Sequence, residues 1–226
     1  MLDYDGIKFH WLGHDGFKIV AEENKNGSKS ILKIYTDPFQ LSKEQQNAND
    51  ADLLLISHNH FDHLSFDDLK HVISEKTTLV AAQECMEQLK GLDIRDVKGV
   101  KPGDRLTARG IPIEVLPAYN TNKKFHPMSD AKVGFVFTIN GLRIYHTGDT
   151  DIIEEMKSAN PDIALVPVSG TYVMTAEEAA KAVNEKIKPK KIAIPMHYGT
   201  IVGSEADAAK FKDLVRVCEV TVLVKE

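Results

Sequence analysis

Cysteine is scarce: the 226-residue chain has two, Cys85 and Cys218, and neither sits in a C-x-x-C pair. That spacing suggests neither a disulfide framework nor a thiolate zinc site, and leaves both as small core residues. Long apolar runs are missing as well, since none approaches the roughly 18 residues of a membrane-spanning helix. The start, Met1-Leu2-Asp3-Tyr4-Asp5, lacks the basic and apolar regions of a signal peptide. A soluble, cytoplasmic protein without a membrane partner is therefore expected. Nor is there a basic excess: the formal net charge of -5 argues against a broad nucleic-acid footprint. Short-period repeats, low-complexity segments and a heptad seam are absent too, which leaves a homo-oligomer open. What the chain does have is 42% hydrophobic content, enough to core one compact domain over residues 1–226.

The most informative stretch is residues 57–66, Ser-His-Asn-His-Phe-Asp-His-Leu-Ser-Phe, directly after the apolar run Leu53-Leu54-Leu55-Ile56. It reads as a ligand loop hung on a buried strand. Imidazole and carboxylate together suit zinc and its first-row neighbours, and His58 and His60, two apart, can reach one ion from the same side of an extended turn. Asp62 and His63 then point elsewhere, toward a second ion, because four ligating groups exceed what one open catalytic site requires. The competing reading is a surface histidine tract. It fits poorly, since the cluster stops cleanly and the chain has only nine histidines.

Along the rest of the chain, polar groups recur where predicted strands end. Residues 7–20 read as two short strands broken at Gly13 and Gly16, with His14 on the turn between them. The segment Asn24 to Ser28 reads as a turn, and the strand Ile31 to Thr36 ends at Asp37-Pro38. There Asp37 is either a turn former or the carboxylate partner of a metal-bound imidazole. Helices are expected over 66–74, opened by Ser65 and Asp68 in a capping box, and over 83–90, closed by Gly91. The strand Ile111 to Leu116 feeds a long loop, 117–132, of the kind that forms lids, carrying Asn120, Lys123, Lys124 and His126. A hairpin about Asn140-Gly141 runs through His146 into Thr147-Gly148-Asp149-Thr150, where Asp149 is an N-cap, a ligand or both. Further helices are expected at 152–158, after Thr175 with Glu178, and at 204–215, with strands at 78–81, 163–167, 192–194 and 220–224. His197 follows the penultimate strand, and strand-end loops are where layered α/β proteins hold their chemistry.

Taken together, the H-x-H-x-D-H loop, the T-G-D-T exit and the late P-M-H-Y-G histidine resemble the metallo-β-lactamase superfamily over nearly the whole chain. W-L-G-H, D-P-F, Y-H-T-G-D-T and I-P-M-H-Y-G look most like its small stand-alone metal-dependent hydrolases, similar to ascorbate phosphate lactonase and N-acyl-phosphatidylethanolamine phospholipase D. The resemblance implies a four-layer αββα sandwich (α+β) with two divalent ions at one edge. His58 and His60 would hold the first, Asp62, His63 and His197 the second, and Asp149 would bridge them. Where such proteins place a third histidine for the first ion, this sequence has Asn120. Either His126 reaches back into that position, the preferred reading, or the first ion is weakly held. His146 is expected to be structural or to support a ligand, and His14 and Tyr198 to face the same edge and orient substrate.

Zinc is the first expectation for the ions, with manganese, nickel and iron(II) as alternatives, and Asp62 is expected to pass a proton during catalysis. The expected activity is hydrolysis of a small, anionic ester or lactone, with Lys123 and Lys124 meeting the anion. A phosphodiesterase acting on a nucleotide or phospholipid headgroup is the alternative. A non-catalytic metal-binding or redox scaffold ranks last, because no electron-carrier domain is appended, and 226 residues leave no room for the basic insertion of nuclease relatives.

Overall fold

Ile7, Phe9 and Trp11 are buried while Lys8 between them is exposed, the alternation of a half-buried strand, whereas Leu53 to Ile56 are buried without interruption. The first pattern belongs to an antiparallel margin and the second to a parallel centre covered on both faces. The computed structural model describes residues 1–25, 28–92, 94 and 96–226 and realises both patterns. Strands β1 (Leu2–Tyr4), β2 (Ile7–Gly13), β3 (Gly16–Lys25), β4 (Ser28–Thr36), β5 (Leu53–Ile56), β6 (Thr78–Ala82) and β7 (Asp96–Val100) hydrogen-bond in chain order into one sheet. The pairs up to β4 are antiparallel and those beyond it parallel.

The second half repeats the scheme. β8 (Arg105–Ala108), β9 (Ile111–Pro117), β10 (Val133–Ile139) and β11 (Leu142–His146) form an antiparallel meander. β12 (Ile163–Pro167), β13 (Ile192–Met196) and β14 (Glu219–Val220) then extend it in parallel. Phe9 and Ile19 of the first sheet and Phe135 and Phe137 of the second belong to one buried cluster. Helices flank the sheets: α1 (Phe66–Val72) crosses over between β5 and β6, and α2 (Ala176–Ala182) and α3 (Glu205–Leu214) pack on each other and on β12 and β13. The expected αββα architecture is what forms.

Several elements differ from expectation for local reasons. The helix expected at 83–90 is a 3-10 turn, Gln83–Cys85, and the one at 152–158 is another, Glu154–Ser158; neither Ala82 nor Ile153 has a capping side chain to open an α-helix. α2 and α3, by contrast, each start on a capping box. The last strand stops at Val220, and the tail crosses to the first sheet, where the Glu226 N–H donates to the Trp11 carbonyl at 3.0 Å. β1, β7 and β8 are additional to the expected strands. In the expected turn at 24–28, Asn26 and Gly27 lie outside the described residues.

The two sheets are tied together beside the strand exits. The Val133 N–H donates to the Ser57 carbonyl at 3.1 Å, and the His197 N–H to the His14 carbonyl at 2.9 Å. These bonds bring loops that are remote in sequence to one rim.

Candidate metal centre

The loop after β5 folds on itself, with the His60 carbonyl accepting from the His63 and Leu64 N–H groups. This sends His58 and His60 one way and Asp62 and His63 the other. His58 Nε2 lies 3.0 Å from His60 Nδ1, which lies 3.3 Å from His126 Nε2. Two imidazole nitrogens bound to one tetrahedral zinc at about 2.05 Å would stand roughly 3.3 Å apart, so the trio has the spacing of a shared cation. Asn120 is not part of it. Its Oδ1 accepts from the His126 N–H at 3.0 Å and lies 3.2 Å from His126 Nδ1, while its Nδ2 donates to the Tyr172 carbonyl at 2.9 Å. Asn120 therefore folds the loop back and turns His126 Nε2 inward.

On the other side, His63, His197, Asp62 and His14 bring ligand atoms together, and a second grouping joins His63 and His197 to Asp149 and Asp15. Asp149 Oδ2 is 3.2 Å from His197 Nε2, 3.5 Å from His63 Nε2, 3.3 Å from His126 Nε2 and 4.0 Å from His58 Nε2, which puts one carboxylate between the two clusters. The outer nitrogens are held by the protein. His63 Nδ1 donates to Asp37 Oδ2 at 2.9 Å, and the same carboxylate accepts from the Ser57 N–H and Oγ at 2.8 and 2.5 Å. His58 Nδ1 meets Ser57 Oγ at 2.9 Å and His197 Nδ1 meets Ser169 Oγ at 2.8 Å. Holding each imidazole by its far nitrogen aims the near one at the centre.

Of His14, His146 and Tyr198, only Tyr198 sits differently from expectation. His14, on the turn between β2 and β3, is fully buried at that edge, with Nε2 3.0 Å from Asp62 Oδ2. His146 is the structural histidine expected, buried and turned away from the clusters, its Nε2 donating to the Asp15 carbonyl at 3.0 Å. Tyr198 does not face the rim: it stacks on Trp11 at 4.6 Å, and its hydroxyl donates to the Leu223 carbonyl. The cause is the left-handed His197 (φ 59°), which turns the chain away from strand alternation directly after the ligand. Sequence reasoning also passed over Asp15, which in the run Gly-His-Asp-Gly reads as an ordinary turn former. It is fully buried.

The electrostatics split along the same line. Burial drives His58 well below the usual histidine range, lowers His60, and takes His126 down to about 4, so the first trio is neutral at pH 7. For His63 and His197 burial acts in the same direction, but Asp149, together with Asp37 at His63 and Asp15 at His197, outweighs it, lifting His63 well above the ordinary value and His197 to about 9. Burial would raise Asp62, yet the hydrogen bond from His14 and the field of His63 hold it at about 2. Burial takes His14 down to about 4, so a neutral imidazole donates to an ionised Asp62. Asp15, by burial, is pushed well above the usual carboxylate range. Among the described residues, His63 Nε2, Asp149 Oδ1 and both Asp15 oxygens are buried with no hydrogen-bond partner. Buried polar atoms left open in this way and aimed at one place fit bound cations.

Above the clusters lies a cavity of about 560 Å³, lined by His60, Asp62, His126 and Asp149 at its floor and by Phe61, Phe125, Tyr172 and Ile201 at its lip. Lys123 and Lys124 are not among its lining residues. Lys123 Nζ is 2.5 Å from Asp151 and 3.8 Å from Glu178, so the expectation that these lysines meet an anionic substrate loses its basis.

Two mixed sheets flanked by helices, with His and Asp clusters at their common rim, define a metallo-β-lactamase type of protein. The chain belongs to the β-lactamase superfamily: the model described as a beta-lactamase superfamily domain matches residues 8–197. A UPF0173 metal-dependent hydrolase from Thermococcus onnurineus is 34% identical over 222 residues, covering 92% of each chain. Another, from Thermoplasma acidophilum, is 33% identical over 232 residues, covering 98% of this chain and 96% of its own. Among solved structures, a protein described as a metal-dependent hydrolase from Parabacteroides distasonis superposes with a TM-score of 0.80 at 30% identity, over 96% of this chain and 92% of the other. No helix among the described residues is long and apolar enough to cross a membrane.

Proposed function

We propose that the protein is a dinuclear metal-dependent hydrolase that cleaves a small ester or lactone whose apolar portion lies against the aromatic lip. The observation that carries this reading is the pair of abutting clusters, His58-His60-His126 and the His63-His197 group, joined through Asp149 at the floor of one cavity. When bound, a pair of divalent cations lowers the pKa of water toward neutrality and polarises a carbonyl or phosphoryl oxygen. Zinc suits the three-imidazole cluster. His58, His60 and His126 would hold the first ion, and His63, His197 and Asp62 the second, with Asp149 between. Asp37, Ser57, Ser169 and Asn120 keep the imidazoles aimed. Asp62 lines the cavity and is held ionised by His14, so it is placed to accept a proton from the nucleophile and return it to the leaving group.

The lip supports one substrate class over the other. Phe61, Phe125 and Ile201 are exposed large apolar groups, and among the described residues no lysine or arginine lines the cavity, so an acyl group is favoured over the charged phosphodiester of the alternative reading. The test is to assay metal-loaded protein against nitrophenyl esters of increasing acyl length, a lactone panel and bis-nitrophenyl phosphate. Ester or lactone turnover that rises with acyl length is expected. Phosphodiester turnover exceeding both would reverse the choice, and no turnover of any of them with metal bound would sink the hydrolase reading.

A further inference from the structure

The turn between β2 and β3 carries a carboxylate that the reading above leaves idle. We propose that Asp15 is a direct ligand of the second ion, joining His63, Asp149 and His197; this rests on the dinuclear reading. Asp15 Oδ2 lies 3.5 Å from His63 Nε2, 3.8 Å from His197 Nε2 and 3.9 Å from His14 Nε2. These separations exceed the roughly 2.7–2.9 Å of a charge-assisted hydrogen bond. Groups that share a cation keep such distances from one another, because each reaches for the ion.

Three features separate Asp15 from a buried structural acid. First, the side chain is fully buried, yet among the described residues neither oxygen has a hydrogen-bond partner. Buried carboxylates are otherwise paired, hydrogen-bonded or coordinating. Second, its backbone is clamped. The Asp15 carbonyl accepts from His146 Nε2 at 3.0 Å and from Thr36 Oγ1 at 3.2 Å, and the preceding His14 carbonyl accepts from Trp11 Nε1 and the His197 N–H, both at 2.9 Å. His146 Nδ1 itself accepts from the Gly148 N–H at 3.3 Å, which leaves its proton on Nε2 for Asp15. Four donors thus fix the main chain while the carboxylate is left open, as a preset ligand requires. Third, of the other carboxylates around His63, Asp37 is taken up by His63 Nδ1 and Ser57, and Asp62 gives one oxygen to His14, whereas both oxygens of Asp15 are open, as are Asp149 Oδ1 and His63 Nε2.

A second consequence follows from donor chemistry. The first cluster offers three imidazoles, while the second, with Asp15, offers at least two carboxylates beside two imidazoles, which favours a harder ion such as Mn2+ or Fe2+ there.

The test is calorimetric titration of metal-stripped protein with Zn2+ and, separately, Mn2+, in wild type and in Asp15→Asn, with folding checked by far-UV circular dichroism. Removing only a group that supports a ligand typically costs about 10–100-fold in metal affinity. Loss of a ligand should therefore weaken the second equivalent by roughly 100-fold or more while the first stays within about twofold. Two equivalents in wild type with an unchanged second equivalent in the folded variant would overturn the assignment of Asp15 alone. A wild type that takes up no metal would overturn the dinuclear reading and this one with it. If Asp15→Asn does not fold, a crystal structure of metal-loaded wild type decides: an Asp15 oxygen about 2.0–2.2 Å from the second ion supports the proposal, and one well outside coordination distance refutes it.

Discussion

Asp62 and Asp37 are both buried carboxylates bonded to a histidine, but the free nitrogens of those histidines go to different places. His63 gives its Nδ1 proton to Asp37 and points Nε2 at the centre, whereas His14 spends Nε2 on Asp62 and leaves Nδ1 without a partner. Asp37 therefore acts through a ligand, and Asp62 faces the cavity itself. In Asp37→Asn one acceptor oxygen becomes an N–H donor, so the amide cannot serve both the Ser57 N–H, on Oδ1, and the His63 Nδ1 and Ser57 Oγ donors, on Oδ2. Metal affinity should fall by about 10–100-fold, with turnover returning toward wild type when metal is in excess. In Asp62→Asn the size of the side chain is kept but the proton acceptor is lost. Affinity for the second ion should fall as well, but kcat at saturating metal should stay about 10²–10⁴ below wild type, with an unchanged circular dichroism spectrum. Steady-state kinetics across a metal titration separates the two behaviours; wild-type turnover in Asp62→Asn would remove that residue from the mechanism.

Apart from His126, which sits within the β9–β10 loop, the groups facing the centre lie where strands end, and this explains both what the sequence disclosed and what it concealed. An apolar run that ends in His-Asn-His-Phe-Asp-His is a local signal, so the β5 loop, the Asp149 turn and the His197 exit could be read directly. The role of Asp15 depends on β13 lying against the β2–β3 turn, a contact between segments about 180 residues apart in the chain. Nothing in Gly-His-Asp-Gly announces it. The part played by Asn120 was hidden for the same reason, because its neighbours Tyr172 and His126 come from a folded loop and a different turn. The Thr147-Gly148-Asp149 turn tests this element-level view. Gly148 has φ +63°, and a Cβ there would stand 2.6 Å from the Val133 carbonyl and 3.3 Å from Ser57 Cβ. Gly148→Ala is thus strained in backbone and crowded in space at once. It should lose about 1–3 kcal/mol in chemical denaturation, and by moving Asp149 it should weaken binding of both ions. A variant of wild-type stability would show that the turn tolerates a shift and does not set the position of Asp149.

Across the whole molecule the centre is where the two sheets meet, so proton and metal occupancy should be visible in global stability. His197, lifted to about 9 by Asp149 and Asp15 against the opposing effect of burial, gains its proton more readily folded than unfolded, where the ordinary value is near 6.5. In metal-free protein its contribution is full below about pH 6.5 and is lost as pH rises through about 9. His63 shifts in the same direction. A cation in the second cluster must displace those protons, so its affinity should climb with pH over this window, by about tenfold per pH unit for each proton released. The first trio behaves otherwise, since His58, His60 and His126 are all lowered and hold no proton to displace at neutral pH. Binding of one ion should therefore be nearly flat between pH 6.5 and 8 and binding of the other steep. Thermal unfolding with and without metal, followed from pH 6.5 to 9, should show a metal-induced rise in Tm that grows with pH, because the metal-free form weakens as the second site tightens. A rise of constant size would mean that neither His63 nor His197 exchanges a proton for the ion, and would separate those histidines from the metal centre.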